Sequence, residues 1–278
     1  MKKLSGVFAA VIAAVSIISA PAASAAEGNL VNFGDSIAAD SPTFAYIGNR
    51  IARTFQYGSS IPGKNCIQSP TNYGHQTAQR LGLAIADYSC PGATSVANGP
   101  KFFDQVDQAL ADGTLNAGTR RVLITQGFND AYNLKGWDQG HIRGAYVDAM
   151  RPQIDRIRAA APNARIQIVG YLPIADNGRA CLFHVLPSGP VFAEWRKLPF
   201  GSVSYWEDTA QWMNVDLANA TGTEFVDLKV RAGNHGMCAP DHERWFAGIV
   251  DFTAGGGNMP LHVNSAGHAG IADILARS

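Results

Sequence analysis

Five short apolar segments, separated by stretches of helical spacing, constrain this chain more than any other feature. They are Leu30–Phe33, Leu83–Tyr88, Arg121–Thr125, Ile166–Tyr171 and Glu224–Leu228. Strands that alternate with helices imply parallel βαβ units, right-handed crossovers and helices on both faces of one sheet. The expectation is an α/β fold: a three-layer α/β/α sandwich around a five-stranded parallel sheet, flavodoxin-like. Among the intervening segments, residues 43–57 read as a helix whose ends Gly48 and Gly58 leave open. Asn72 caps a short helix through Leu81. Pro100 opens another, in which Phe103, Val106 and Leu110 recur at spacings of three and four before Gly113. The clearest helix spans 142–160, with Ile142, Tyr146, Met150, Ile154 and Ile157 on one face. Pro152 inside it should cause a kink or a break. Val203–Ala220 and Gly267–Ala276 complete the set. Residues 58–71, 172–201 and 229–261 read as irregular, 172–201 as a long lid or rim.

The ends and the composition narrow the class. Lys2, Lys3, the apolar run Val7–Ala20 and then Ala23-Ser24-Ala25 have the form of a secretory signal with cleavage near Ala25. Residues 26–278 then form a single domain, since neither an internal repeat nor a linker divides them. No later apolar run approaches the roughly 20 residues of a membrane span. With 22 basic and 22 acidic residues and no basic block, nucleic acid is not an expected partner. A secreted monomer is expected instead.

An exported chain keeps its cysteines in an oxidising setting. Cys66, Cys90, Cys181 and Cys238 make an even count with three possible pairings. Cys66–Cys90 and Cys181–Cys238 are preferred, because each would bridge neighbouring blocks of chain. Cys181-x-x-His184 and His235-x-x-Cys238-x-x-x-His242 have metal-ligand types at short spacing. Export favours the disulfide over zinc, so no metal is expected.

Gly34-Asp35-Ser36 follows the first strand. Alone it is a turn, because all three residues form turns. Three later sites change that reading. Ser89-Cys90-Pro91-Gly92-Ala93-Thr94 follows the second strand, Gly127-Phe128-Asn129-Asp130 the third, and His262-Val263-Asn264-x-x-Gly267-His268 opens the last helix. With these four blocks in order, the sequence resembles the SGNH/GDSL hydrolase family over residues 30–272. The resemblance implies Ser36 as nucleophile, His262 as base, and an oxyanion hole of the Ser36 N–H, the Gly92 N–H and the Asn129 side-chain amide. His268 is an alternative base, less favoured because it should lie inside the helix. The family's usual histidine block is Asp-x-x-His, and here Met259 holds the aspartate's place. The main-chain carbonyls of Met259 and Pro260 are then the nearest groups to orient the imidazole, with Asp251, Asp241 or Asp227 as rivals from farther away. Secreted actinobacterial esterases and lipases are similar in using a carbonyl there, and the four cysteines look like that branch.

A secreted serine esterase or lipase follows, acting through an acyl-enzyme on lipid or acylated polymer esters, with no cofactor. An acyltransferase or a carbohydrate deacetylase would use the same site, and a catalytically silent binding protein could share the fold. Phe44, Tyr46, Phe128, Trp195, Trp206, Trp245 and Phe246 could line an acyl pocket, though core packing accounts for more than half of them. His75, His141, His184, His235 and His242 default to structural roles.

Overall fold

The structure is a computed structural model, which describes residues 28–44, 66–186, 197–199, 201–253 and 259–278. The signal segment, most of the helix expected at 43–57, Tyr46, Trp195 and much of the 172–201 rim lie outside them. One five-stranded sheet carries the fold. It comprises β1 (Asn29–Gly34), β2 (Ala84–Asp87), β3 (Thr119–Thr125), β4 (Arg165–Val169) and β8 (Glu224–Val226). The strand order is β2-β1-β3-β4-β8 and every pair is parallel. The α/β expectation holds.

Side chains alternate across the strands and split the core in two. Val31, Phe33, Val122, Ile124 and Ile168 face one cluster. It is filled by α3 (Phe102–Ala111), α5 (Gln139–Ala160) and α6 (Gly201–Thr221), through Val106, Tyr146, Met150, Ile154, Met213 and Leu217. Leu30, Leu123, Val169 and Val226 face the other, filled by α2 (Tyr73–Leu81) and α8 (Ser265–Arg277) through Tyr73, Ala78, Ile271 and Leu275. Two helical layers around one sheet are the physical content of the sandwich.

The details differ in places from the pattern. α5 begins at Gln139, because the Asp138 side chain accepts the His141 N–H and caps it. It also runs without a break through Pro152. Burial of Met150, Ile154 and Ile157 on the sheet outweighs the one backbone hydrogen bond that proline removes. The rim expected to be irregular carries three short strands, β5 (Arg179–Cys181), β6 (Phe183–His184) and β7 (Lys197–Pro199); β5 pairs antiparallel with β7. The 229–261 region is flanked by the single turn α7 (Leu228–Arg231) and carries β9 (Val250–Asp251), which pairs with β6. Two further one-to-two-turn helices, α1 (Ser36–Ala39) and α4 (Phe128–Asn133), start inside the nucleophile and asparagine blocks. Cys66–Cys90 and Cys181–Cys238 are disulfide-bonded, with Cα separations of 4.9 and 5.1 Å.

Candidate active site

The site lies past the carboxyl ends of β1, β2 and β3, where an open parallel sheet leaves its crevice. Gly34 ends β1 at φ +152, and a Cβ there would meet the Thr125 carbonyl at 2.4 Å, so only glycine lets β1 and β3 close up at the turn. The Gln105 side chain pairs with both the N–H and the C=O of Gly34, each at 2.9 Å, and pins the strand end. Asp35 follows as the cap of α1, its Oδ1 accepting the Ile37 N–H at 2.9 Å. Ser36 is thereby the first residue of a helix, half-buried, with its N–H at the positive end of that helix.

The histidine arrives on a segment laid antiparallel to residues 245–248. Ala247 N–H donates to the His262 carbonyl at 2.8 Å, Leu261 N–H to Gly248 at 3.1 Å and Asn264 N–H to Trp245 at 2.9 Å. Arg244, its side chain fully buried, anchors that neighbour strand through Asp241 and Asp251, and its carbonyl accepts the Asn264 side-chain amide at 2.7 Å. Asn264 in turn caps α8. The result puts His262 Nε2 2.8 Å from Ser36 Oγ, while its Nδ1 lies 2.7 Å from the Pro260 carbonyl. The carbonyl can only accept, so the ring's proton sits on Nδ1 and Nε2 presents a lone pair to the serine. Burial pushes the His262 imidazole below its ordinary value, partly offset by the Pro260 hydrogen bond and the charge of Asp40.

Gly92 and Asn129 come from the turns after β2 and β3. Gly92 sits at φ +79, and a Cβ built there would meet no atom within 4 Å. Backbone conformation, then, explains the glycine. Among the described residues the N–H groups of Ser36 and Gly92 donate to no protein acceptor. The Asn129 amide gives one hydrogen to the Ala93 carbonyl at 2.9 Å, leaving its second for another acceptor. Asp130 fixes the neighbouring loop by accepting the N–H groups of Ser95, Val96 and Ala97, each at 2.8 Å. A phenol then ties the two turns together. Tyr171 Oη donates to Asp35 Oδ2 at 2.5 Å and accepts the Phe128 N–H at 3.0 Å. Burial raises Asp35 to about 7, against the lowering effect of that hydrogen bond. The tying roles of Tyr171, Asp35 and Asp130 escaped the sequence reading, because nothing in their spacing announces a tie between turns 35 and more residues apart.

Other candidates fall elsewhere. His268 faces Asp40 instead, Nε2 to Oδ1 at 3.3 Å, and its Nδ1 accepts the Tyr73 N–H at 3.2 Å. Asp251 chelates Arg244 at 3.0 and 3.1 Å, Asp241 binds the same guanidinium at 2.7 Å, and Asp227 caps α7. His184 contacts Arg244, His235 stacks on Trp245 with centroids 4.2 Å apart, and His141 stacks on Trp137 at 4.1 Å. His75 lies 3.6 Å from Asp87, and His242 3.5 Å from Glu243. Both sulfurs of the cysteine–histidine spacing are spent on the disulfide. Among the described residues no three His, Cys, Asp or Glu side chains are grouped to hold a metal. Of the aromatics, Phe44 is exposed and Phe246 is core. Phe128 and Trp206 form a wall with Tyr132, at centroid distances of 6.4 and 6.0 Å, beginning next to Asn129.

Solved structures share this architecture. Phospholipase A1 from Streptomyces albidoflavus superposes with a TM-score of 0.56 at 18% identity, covering 91% of this chain and 99% of that one. An extracellular lipase from Streptomyces rimosus gives 0.54 at 18%, covering 90% and 99%. A carbohydrate acetylesterase from Sinorhizobium meliloti gives 0.53 at 15%, covering 90% and 97%. At these identities the likeness is one of fold. No curated protein sequence matches this one. The model of the GDSL-like lipase/acylhydrolase family matches residues 33–269, and the chain belongs to that family of carboxylic ester hydrolases.

Proposed function

We propose that this protein is a secreted serine esterase or lipase that cleaves carboxylic esters through an acyl-enzyme. The observation that carries the reading is the pair of contacts on His262, Nε2 to Ser36 Oγ at 2.8 Å and Nδ1 to the Pro260 carbonyl at 2.7 Å. Ser36 Oγ attacks the ester carbonyl as its proton passes to Nε2. The oxyanion formed accepts from the Ser36 N–H, the Gly92 N–H and the second Asn129 amide hydrogen. The imidazolium returns the proton to the departing alcohol, leaving Ser36 acylated. Water, deprotonated by the same nitrogen, releases the acid and restores the serine. The aromatic wall of Phe128, Tyr132 and Trp206 supports an apolar or aryl acyl group. Secretion accords with two disulfides and the leader-like N-terminus.

A fluorophosphonate probe should label the protein once, on Ser36, and Ser36→Ala should abolish labelling and hydrolysis without loss of fold. An ester panel of increasing acyl length, run with and without alcohol acceptors, should show acid release that rises beyond acetyl. Full activity in folded S36A would end the assignment, and acyl transfer dominating over hydrolysis would make the enzyme a transferase.

A further inference from the structure

Ser36 and Asn129 stand on two short helices. α1 has four residues and α4 has six, lengths too small to hold themselves in place. The starts of these helices are met in different ways. Asp35 caps α1 through Oδ1, which accepts the Ile37 N–H at 2.9 Å. Gly127 precedes α4 and has no side chain with which to cap it. The Phe128 N–H, the first donor of α4, is met instead by Tyr171 Oη at 3.0 Å. The same phenol donates to Asp35 Oδ2 at 2.5 Å. One oxygen from the loop after β4 thus joins the residue before Ser36 to the residue before Asn129.

Packing alone does not call for that hydroxyl. The Tyr171 ring is buried in the apolar cluster of Phe33 and Tyr146 and lies 5.4 Å from the Phe128 ring, a space that phenylalanine would fill. A buried hydroxyl is costly unless it is hydrogen-bonded, and both bonds of this one go to turns that carry the site. Other groups hold the asparagine turn from other sides. The Gln126 carbonyl accepts from Tyr146 Oη and from the Asn214 amide, each at 3.0 Å, and the Asn129 amide donates to Ala93 at 2.9 Å. The backbone joins β1 to β3 through the Asp35 N–H and the Thr125 carbonyl at 3.0 Å, ahead of the asparagine turn. The phenol makes the link past that point, at the level of the two helix starts.

We propose that Tyr171 is a positioning residue of the oxyanion hole. Its hydroxyl fixes the asparagine turn against the nucleophile turn, so that the Ser36 N–H and the second Asn129 amide hydrogen converge on one oxygen. Its contribution to turnover therefore runs through Asn129. The inference rests on the esterase reading above.

Tyr171→Phe is the test, because it removes the hydroxyl and keeps the ring. With active sites titrated by a fluorophosphonate, kcat on an ester substrate should fall about tenfold or more, since a misplacement of about 1 Å can cost 10²-fold, while KM stays within about twofold. Added to Asn129→Ala, the same change should lower kcat by less than about threefold, because the group that the tie places is already gone. A general loss of structure would instead lower kcat by the same factor in both backgrounds. Should Y171F not fold, Asp35→Ser breaks the tie from its other end: serine still caps α1 but is too short to keep the bond to Tyr171. It should show the same loss and the same dependence on Asn129. A folded variant with kcat within twofold of the parent overturns the proposal, as does an equal loss in both backgrounds. An Asn129→Ala loss below about threefold also overturns it, since there would be no donor for the tie to place. Ser36→Ala and His262→Ala run beside these: if either keeps full turnover, it is the esterase reading that fails, and the two failures are told apart.

Discussion

His262 Nδ1 lies 2.7 Å from the carbonyl oxygen of Pro260, only two residues before it in the chain. The contact is local, so the ring is oriented by its own loop and needs no acidic side chain touching it. That loop is itself held by the strand-like pairing of 261–264 with 245–248. A main-chain acceptor fixes the tautomer, but it does not stabilise the imidazolium as a carboxylate does.

No acidic side chain near the histidine loop should therefore prove essential by direct contact. Asp227→Asn, Asp241→Asn and Asp251→Asn, measured per folded site, should each keep kcat within about tenfold, against a loss of about 10³ or more for His262→Ala. Asp241→Asn and Asp251→Asn should instead lower thermal stability, because each leaves the buried Arg244 with less countercharge. If one folded variant matches the histidine variant, a carboxylate acts directly after all.

Asn129 offers a clean probe of the oxyanion donors. Losing one side-chain donor typically costs about 10²–10³ in turnover. Asn129→Ala should lower kcat by roughly that factor and change KM much less. Steady-state kinetics showing a drop below about threefold would remove Asn129 from the donor set.

Acid should inhibit late. Burial depresses His262 below 6.5, and only its neutral form can take the serine proton. As pH falls, kcat/KM should hold until it passes through that depressed value, so the acid midpoint lies under 6.5. A midpoint at or above 6.5 in a pH–rate profile would contradict this.

Asp35 predicts a stability slope of the opposite sense. Its folded value is raised from 3.8 to about 7, so between those pH values the folded protein holds a proton that the unfolded chain has lost. Stability from this group is complete below pH 3.8, falls as pH rises and levels off above about 7. The window is worth on the order of 4 kcal/mol. Asp35→Asn, which can still cap α1, should flatten the slope, so chemical denaturation at pH 5 and pH 8 should differ less in the variant than in the parent.

Much of the fold was legible because its cues are local. Apolar strands such as Val122–Ile124, the helical stripe from Ile142 to Ile157 and the Asn72 cap each state their structure within a few residues. Three of the four blocks could be assigned to strand ends, and the fourth to the start of the last helix, for the same reason. The break expected at Pro152 does not occur, because propensity counts one lost hydrogen bond whereas the sheet rewards several buried side chains. The helices α1 and α4 were missed because runs of four and six residues carry too little periodicity to read.

What the sequence by itself determined was the βαβ order, the place of Ser36, Gly92 and Asn129 just past strands and of His262 just before the last helix, and the absence of an aspartate at position 259. What only the tertiary structure decided was who meets whom. Ser36 and His262 are 226 positions apart, and Asp35 and Tyr171 are 136 apart. The pairing of Asp40 with His268 is equally remote in sequence. Such contacts follow from the order in which strands stack and from the burial that fixes their register, and short-range pattern holds no record of either.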